Sequence, residues 1–257
     1  MRYGFVGTGE LTAAIVTGLC DGVADPPEVF LSPRGRAVGA ELAARFPSVA
    51  VCADNTEVVA RADVLTVAVR PPLARDVLSG LTFRPEQVVI SALAGVPLER
   101  LGELAPTARA LVRAIPLPQA AQRQSLTALH PDQPAARALF ERVGDVIIAD
   151  TESALDAMST ATATFAAHLD QLATIAGWLT EHGLAAEQSA GYLKYLYGAV
   201  GRTLQDSTDT FETLTTRHMT PGGINEQVLA DLRRAGQPEA MRRALDRVLI
   251  RLRGPAE

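Results

Sequence analysis

A glycine loop at the very start of the chain constrains the fold more than any other feature. Residues Gly7 to Thr12 read G-T-G-E-L-T, directly after the strand-like run RYGFV and directly before the helix-like run LTAAIVTGL. In that context the loop opens a dinucleotide-binding βαβ unit. Gly7 supplies the tight turn, and Gly9 lets a pyrophosphate approach the backbone with no side chain in the way. The amides of Thr8, Gly9, Glu10 and Leu11, with the dipole of the following helix, attract the phosphates. The third small residue of the pattern is here Thr12, which predicts less close packing against the sheet. The competing reading is a tight turn in a doubly wound fold that has lost its ligand.

The rest of the first 150 residues supports such a fold. Short β-branched runs alternate with helical ones: VFL then RAVGAELAARF, VLTVAV then LARDVLSGL, VVISAL then LERLGEL. ALVRAI, SLTALH and DVIIA follow as further strands. This alternation predicts a parallel sheet covered on both faces, a Rossmann-type α/β domain over residues 1–150. From Glu152 to Arg253 no strand pattern appears. ALDAMSTATATFAAHLDQLATIAGWL and SAGYLKYLYGAVGRTLQDSTDTFETL each read as a long helix, which predicts an all-helical domain over residues 151–257. Charges are few between Ala154 and Leu179, so this stretch either meets another subunit or is buried within its own domain.

The end of the second strand selects between the two nicotinamide dinucleotides. An acid there would hold a ribose 2′-hydroxyl. The chain instead reads Val29-Phe30-Leu31-Ser32-Pro33-Arg34, with Arg36 just beyond. One hydroxyl and two guanidiniums suit a 2′-phosphate, so the expected cofactor is NADPH.

Composition narrows the remaining classes. The formal net charge of −5 gives no basic field to attract nucleic acid. The densest basic cluster, Arg242, Arg243, Arg247, Arg251 and Arg253, is read as a solvated helix face, with a phosphate- or partner-binding stripe as the alternative. Cys20 and Cys52 are too few for a disulfide framework. His130, His168, His182 and His218 are scattered, so no metal is expected. No signal peptide is visible, and no apolar run approaches the roughly 18 residues of a membrane helix. A cytoplasmic protein with no membrane partner is the expectation.

One further segment is legible from its residues. In Thr220-Pro221-Gly222-Gly223, Thr220 can cap a helix and Pro221 suits its first position. Two glycines in a first helical turn are costly. Their expected use is to expose amides to an anion such as a carboxylate, and the alternative is a plain joining turn.

Taken in order, GFVGTGEL, Val69-Arg70-Pro71, Ser91-Ala92-Leu93-Ala94-Gly95 and Thr220-Pro221-Gly222-Gly223-Ile224-Asn225 resemble the motifs of the pyrroline-5-carboxylate reductases over nearly the full chain. That family reads G-F-I-G-x-G-x-M, V-K-P, S-x-x-A-G and S-P-G-G-T-T at these places. The resemblance implies a Rossmann domain followed by a helical domain that dimerises, and NAD(P)H-dependent reduction of a cyclic imine. It adds Val69, Arg70, Pro71, Ala94 and Gly95 to the cofactor contacts. The family's M-P-N-T-P-A is here Ile115-Pro116-Leu117-Pro118-Gln119-Ala120, so Leu117 replaces an asparagine. Its S-G-S-G-P-A-Y falls on Thr162 to His168, which keeps hydroxyls at Thr162 and Thr164 but places Phe165 where the family has no side chain. The frame is kept and the pocket altered. The implied substrate is therefore a small imine, with a carboxylate, other than pyrroline-5-carboxylate.

The resemblance also distributes roles. Thr220, Gly222, Gly223, Leu117 and Phe165 are expected at the substrate. Asn225 stands where the family's threonine meets the ring nitrogen, with a helix-capping role as the alternative. His168 replaces a tyrosine and can titrate near neutral pH, so it is the candidate proton donor beside Thr164. Tyr192, Lys194, Tyr195 and Tyr197 crowd one helix; the aromatics read as core or interface, and Lys194 points elsewhere. Two other functions compete. A β-hydroxyacid dehydrogenase-like oxidoreductase would carry an asparagine four residues after a helix lysine, but Lys194 is followed at that distance by Gly198. A non-catalytic NADP-binding protein would carry a decayed pocket.

Overall fold

The structure is a computed structural model, and it describes residues 1–254. Eight strands form one sheet: β1 (Tyr3–Val6), β2 (Val29–Leu31), β3 (Val49–Val51), β4 (Val64–Val67), β5 (Val88–Ser91), β6 (Ala110–Ile115), β7 (Ser125–His130) and β8 (Gly144–Ile148). Their spatial order is β3-β2-β1-β4-β5-β6-β7-β8. Helices α1 (Glu10–Cys20), α2 (Arg36–Arg45), α3 (Asn55–Arg61), α4 (Ala74–Leu78), α5 (Leu98–Leu104) and α6 (Pro134–Phe140) alternate with them. The remaining helices are α7 (Glu152–Thr162), α8 (Thr164–Glu181), α9 (Ala186–Asp206), α10 (Phe211–Arg217), α11 (Ile224–Arg234) and α12 (Gln237–Arg253).

Each central strand is buried on both faces because its side chains alternate between two cores. Tyr3 and Phe5 of β1 join Ile15, Val16 and Leu19 of α1 and Leu139 and Phe140 of α6. Val6 joins Val58 and Val59 of α3, Leu78 of α4 and Leu101 of α5 on the opposite face. This is the doubly wound sheet that the strand–helix alternation predicts.

One strand departs from the parallel expectation. β7 runs antiparallel to β6, and β8 then pairs parallel with β7. The connection over residues 116–124 holds only a 3-10 turn, Pro118–Gln122. It is shorter than the dozen or so residues a parallel crossover needs, so the chain must reverse. β3 and α3 also lie outside the runs read as elements. β3 is a three-residue edge strand with Val51 exposed. The start of α3 carries a legible signal: Asp54 accepts the Glu57 N–H at 2.8 Å, and the Glu57 carboxylate accepts the Ala53 N–H at 2.7 Å. Together the two bonds cap the helix start, with aspartate and glutamate three residues apart.

The chain forms two compact units, one of Met1–Ser159 with the end of the last helix from Leu249, and a second of Thr160–Val248. Among the described residues, no strand follows Ile148. Each of the two long helices expected there is broken. The first stops at Thr162 and restarts at Thr164, where the Ala163 N–H bonds back to the Thr160 carbonyl at 3.0 Å. Threonines 160, 162 and 164 weaken the helix at that point. The second breaks between Asp206 and Phe211. There the Ser207 hydroxyl accepts the Asp209 N–H, and the Thr210 hydroxyl accepts the Thr213 N–H. These local bonds compete with helix continuation. No described helix is long and apolar enough to cross a membrane.

Candidate cofactor and substrate sites

In the first unit the glycine loop takes the shape its sequence requires. Gly7 has φ +104°, and a Cβ there would lie 2.3 Å from the Ala68 carbonyl oxygen at the end of β4. Gly9 is the N-cap of α1 and has no side-chain cap bond. A Cβ on Gly9 would meet nothing within 4 Å, so the space over the helix N-terminus is open to an approaching phosphate. Thr12 corrects the expectation of loose packing. It is fully buried, and its hydroxyl donates to the Gly7 carbonyl at 2.6 Å. The hydroxyl thereby ties off a polar group of the turn.

The loop after β2 splits into a buried and an exposed part. Ser32 is buried and accepts the Gly7 N–H at 2.9 Å. Arg34 and Arg36 are exposed, and neither guanidinium makes an ion pair or hydrogen bond with a described residue. Two unpaired guanidiniums beyond the second strand fit a 2′-phosphate. Val69, Arg70 and Pro71 follow β4, with Arg70 exposed; Ala94 and Gly95 follow β5, with Ala94 exposed.

A cavity of about 70 Å³ lies at the carboxyl ends of β5 and β6, beside the start of α1. Ligands of open α/β sheets collect at this edge. Leu11, Leu93, Ala94, Ile115 and Pro116 make most of its wall apolar. Leu117 stands just beyond, half-buried, its N–H donating to the Ser125 hydroxyl at 3.1 Å.

Arg113 of β6 also lines this cavity and has no place among the residues expected from the sequence. It is 4% exposed and pairs with Glu152 and Asp156 of α7, both at 2.8 Å. Glu152 also accepts the Leu98 N–H, and Arg253 of α12 approaches Asp156 at 3.7 Å. A cation inside the apolar strand run ALVRAI is the signal that identifies it.

In the second unit, Thr164, Phe165 and His168 lie on α8. The Thr164 hydroxyl donates to the Ala161 carbonyl at 2.8 Å, Phe165 is 49% exposed, and the His168 ring meets Tyr197 edge-on at 6.0 Å. No pair among these three and the Thr220–Asn225 turn is joined by a hydrogen bond or ring contact.

The turn itself differs from expectation. Thr220 is not the cap of α11, and the glycines are not in its first turn. Gly223 is the N-cap, and its N–H bonds to the Thr220 carbonyl at 2.7 Å. Gly222 has φ +72°, which is incompatible with a helical turn and delays the helix to Ile224. The Gly222 N–H donates to Glu226 Oε2 at 2.6 Å, and the Asn225 side-chain amide donates to the His218 carbonyl at 2.9 Å. Both groups assigned to substrate thus hold partners within the turn. Among the described residues no cluster of His, Cys, Asp or Glu could hold a metal ion.

Comparison with known proteins agrees with this architecture. A family model described as NADP oxidoreductase, coenzyme F420-dependent, matches residues 2–95. The pyrroline-5-carboxylate reductase of Pseudomonas aeruginosa is 27% identical, across 95% of this chain and 93% of that one. The crystal structure of 1-pyrroline-5-carboxylate reductase from Streptococcus pyogenes matches the fold with a TM-score of 0.84 at 22% identity, covering 98% of each chain. The NADP-bound pyrroline carboxylate reductase of Plasmodium falciparum matches with a TM-score of 0.82 at 16% identity, covering 98% of this chain and 97% of that one. Over nearly its full length the chain is similar in sequence and in fold to pyrroline-5-carboxylate reductases.

Proposed function

We propose that the chain is a cytoplasmic, homodimeric, NADPH-dependent reductase of a small cyclic imine that carries a carboxylate. The observation that carries the cofactor is the open amide-lined loop over α1 together with the unpaired Arg34 and Arg36. Residues Gly7 to Leu11 would hold the pyrophosphate, and the two arginines the 2′-phosphate. Val69, Arg70, Pro71, Ala94 and Gly95 would line the rest of its path, and the apolar cavity beside Leu11 suits an uncharged ring. NADPH, when bound, supplies a hydride to the imine carbon. The protein's part is to position, exclude water and deliver a proton.

The helical unit carries the residues assigned to the substrate. A substrate carboxylate would replace Glu226 at the Gly222 amide, an exchange of like for like. Asn225 would release the His218 carbonyl to meet the nitrogen, and His168, with Thr164, is the assigned proton source. Leu117, where the family pattern has asparagine, and Phe165, where it has no side chain, are the two departures assigned to the substrate.

Arg34→Ala tests the cofactor reading. The expected result is a loss of NADPH affinity of about tenfold or more, the scale of a charge-assisted contact, with NADH affinity nearly unchanged. Equal losses for both would refute the assignment. The dimer rests on apolar side chains left exposed on the helical unit, among them Leu169 at 65%, Tyr195 at 77% and Ile224 at 81%. Such surface marks an interaction face. Light scattering at micromolar concentration should give twice the chain mass, and a monomer would contradict the proposal.

A further inference from the structure

Ser32 sits where a hydroxyl is expected to meet the 2′-phosphate, yet the residue is 2% exposed and its hydroxyl is turned toward the glycine loop. Its bonding capacity can be followed atom by atom. Ser32 Oγ accepts the Gly7 N–H at 2.9 Å. Thr8 Oγ1 donates its proton to the Ser32 carbonyl at 2.9 Å. Thr8 Oγ1 and Ser32 Oγ are also 3.1 Å apart. With the Thr8 proton given to the carbonyl, Ser32 can place its own proton between the two hydroxyls. In that arrangement the buried Ser32 hydroxyl is engaged by Gly7 and Thr8 rather than presented to a phosphate.

The same turn is fixed from its other sides. Thr12 Oγ1 ties the Gly7 carbonyl, so both polar atoms of Gly7 end on buried hydroxyls. Gly35, at φ +91°, packs so closely that a Cβ there would lie 2.0 Å from the Thr8 carbonyl oxygen. The β2 loop and the glycine loop are thus locked edge to edge.

We infer that Ser32 and Thr8 are positioning residues: their paired hydroxyls hold the glycine loop in its phosphate-accepting shape, and discrimination between NADPH and NADH lies with Arg34 and Arg36 alone. This rests on the cofactor reading above. A group that shapes the pyrophosphate cradle acts on every dinucleotide alike, because both cofactors carry the same pyrophosphate. A 2′-phosphate ligand acts on one of them.

The test is fluorescence titration to saturation with NADPH and with NADH, on the wild type and on Ser32→Ala, Thr8→Val and Thr8→Ser. Ser32→Ala is expected to raise both dissociation constants by the same factor, about tenfold, the scale of a buried amide left without its acceptor. Thr8→Val, which keeps the side-chain shape, should do the same, and Thr8→Ser should restore wild-type binding. If Ser32→Ala does not fold, the threonine pair carries the comparison. A loss confined to NADPH, or no loss for either cofactor, overturns the inference while leaving the cofactor reading intact. A wild type that binds neither dinucleotide overturns both.

Discussion

Replacement of Gly7 by alanine is expected to raise the NADPH dissociation constant by about a hundredfold or more, equivalent to roughly 2.7 kcal/mol. Two independent effects act at this position. The backbone at φ +104° is strained for any L side chain, at a cost of order 1–3 kcal/mol. The new methyl also lands 2.3 Å from the Ala68 carbonyl oxygen, which is backbone and cannot swing aside. Ala68 donates its own N–H to Val6 at 2.8 Å, so relief of the clash would part β4 from β1 at the cofactor edge of the sheet. Titration and thermal unfolding should register the loss together. Gly9→Ala is the contrast: its methyl meets nothing within 4 Å, so it should fold normally and lose only cofactor affinity. Wild-type melting and binding for Gly7→Ala would show that the loop is not held as described.

Arg113→Met is expected to destabilise the first unit by about 3 kcal/mol, in the range for removing one partner of a buried ion pair. The guanidinium is shared by Glu152 and Asp156, and its side chain is 5% exposed. Methionine fills much of the volume but offers neither carboxylate a partner. Glu152 and Asp156 belong to α7, so the loss should also loosen α7 from β6. Chemical denaturation measures the change. A triple variant, Arg113→Met with Glu152→Gln and Asp156→Asn, should recover part of it, because no uncompensated charge then remains. An Arg113→Met protein within about 0.5 kcal/mol of wild type, the ordinary range for surface substitutions, would show that the pairs contribute little.

What could be read from the sequence divides along physical lines. Buried strands such as VVIS and ALVRAI are continuous β-branched runs, and the glycine loop has a fixed local shape, so both declare themselves. β3 is short and half-exposed, so its periodicity carries almost no signal. The reversal of β7 depended on a connection length, not on any residue in the strand itself. The breaks at Ala163 and Ser207 arise from hydroxyl competition with the helix, which apolar periodicity does not record. In the site, residue types could be named but their bonding could not. Ser32 looked like a free hydroxyl until its partners Gly7 and Thr8 were known. Thr12 looked like a defect in the loop and is a tie across it. The sequence marks Gly222 as a candidate anion contact and Asn225 as a candidate contact to the ring nitrogen, but their internal partners, Glu226 and the His218 carbonyl, are not visible in it.

The central claim is hydride transfer from NADPH to a cyclic imine in a pocket altered from the family pattern. Steady-state oxidation of NADPH, measured on pyrroline-5-carboxylate beside a panel of other cyclic imino acids, tests it most directly. The account predicts turnover of at least one other imino acid, with kcat/KM on pyrroline-5-carboxylate below about 10⁴ M⁻¹s⁻¹, the lower end of the ordinary enzyme range. Saturable NADPH binding with no oxidation on any imine would contradict the account, and efficient turnover of pyrroline-5-carboxylate above that value would contradict the reading of Leu117 and Phe165.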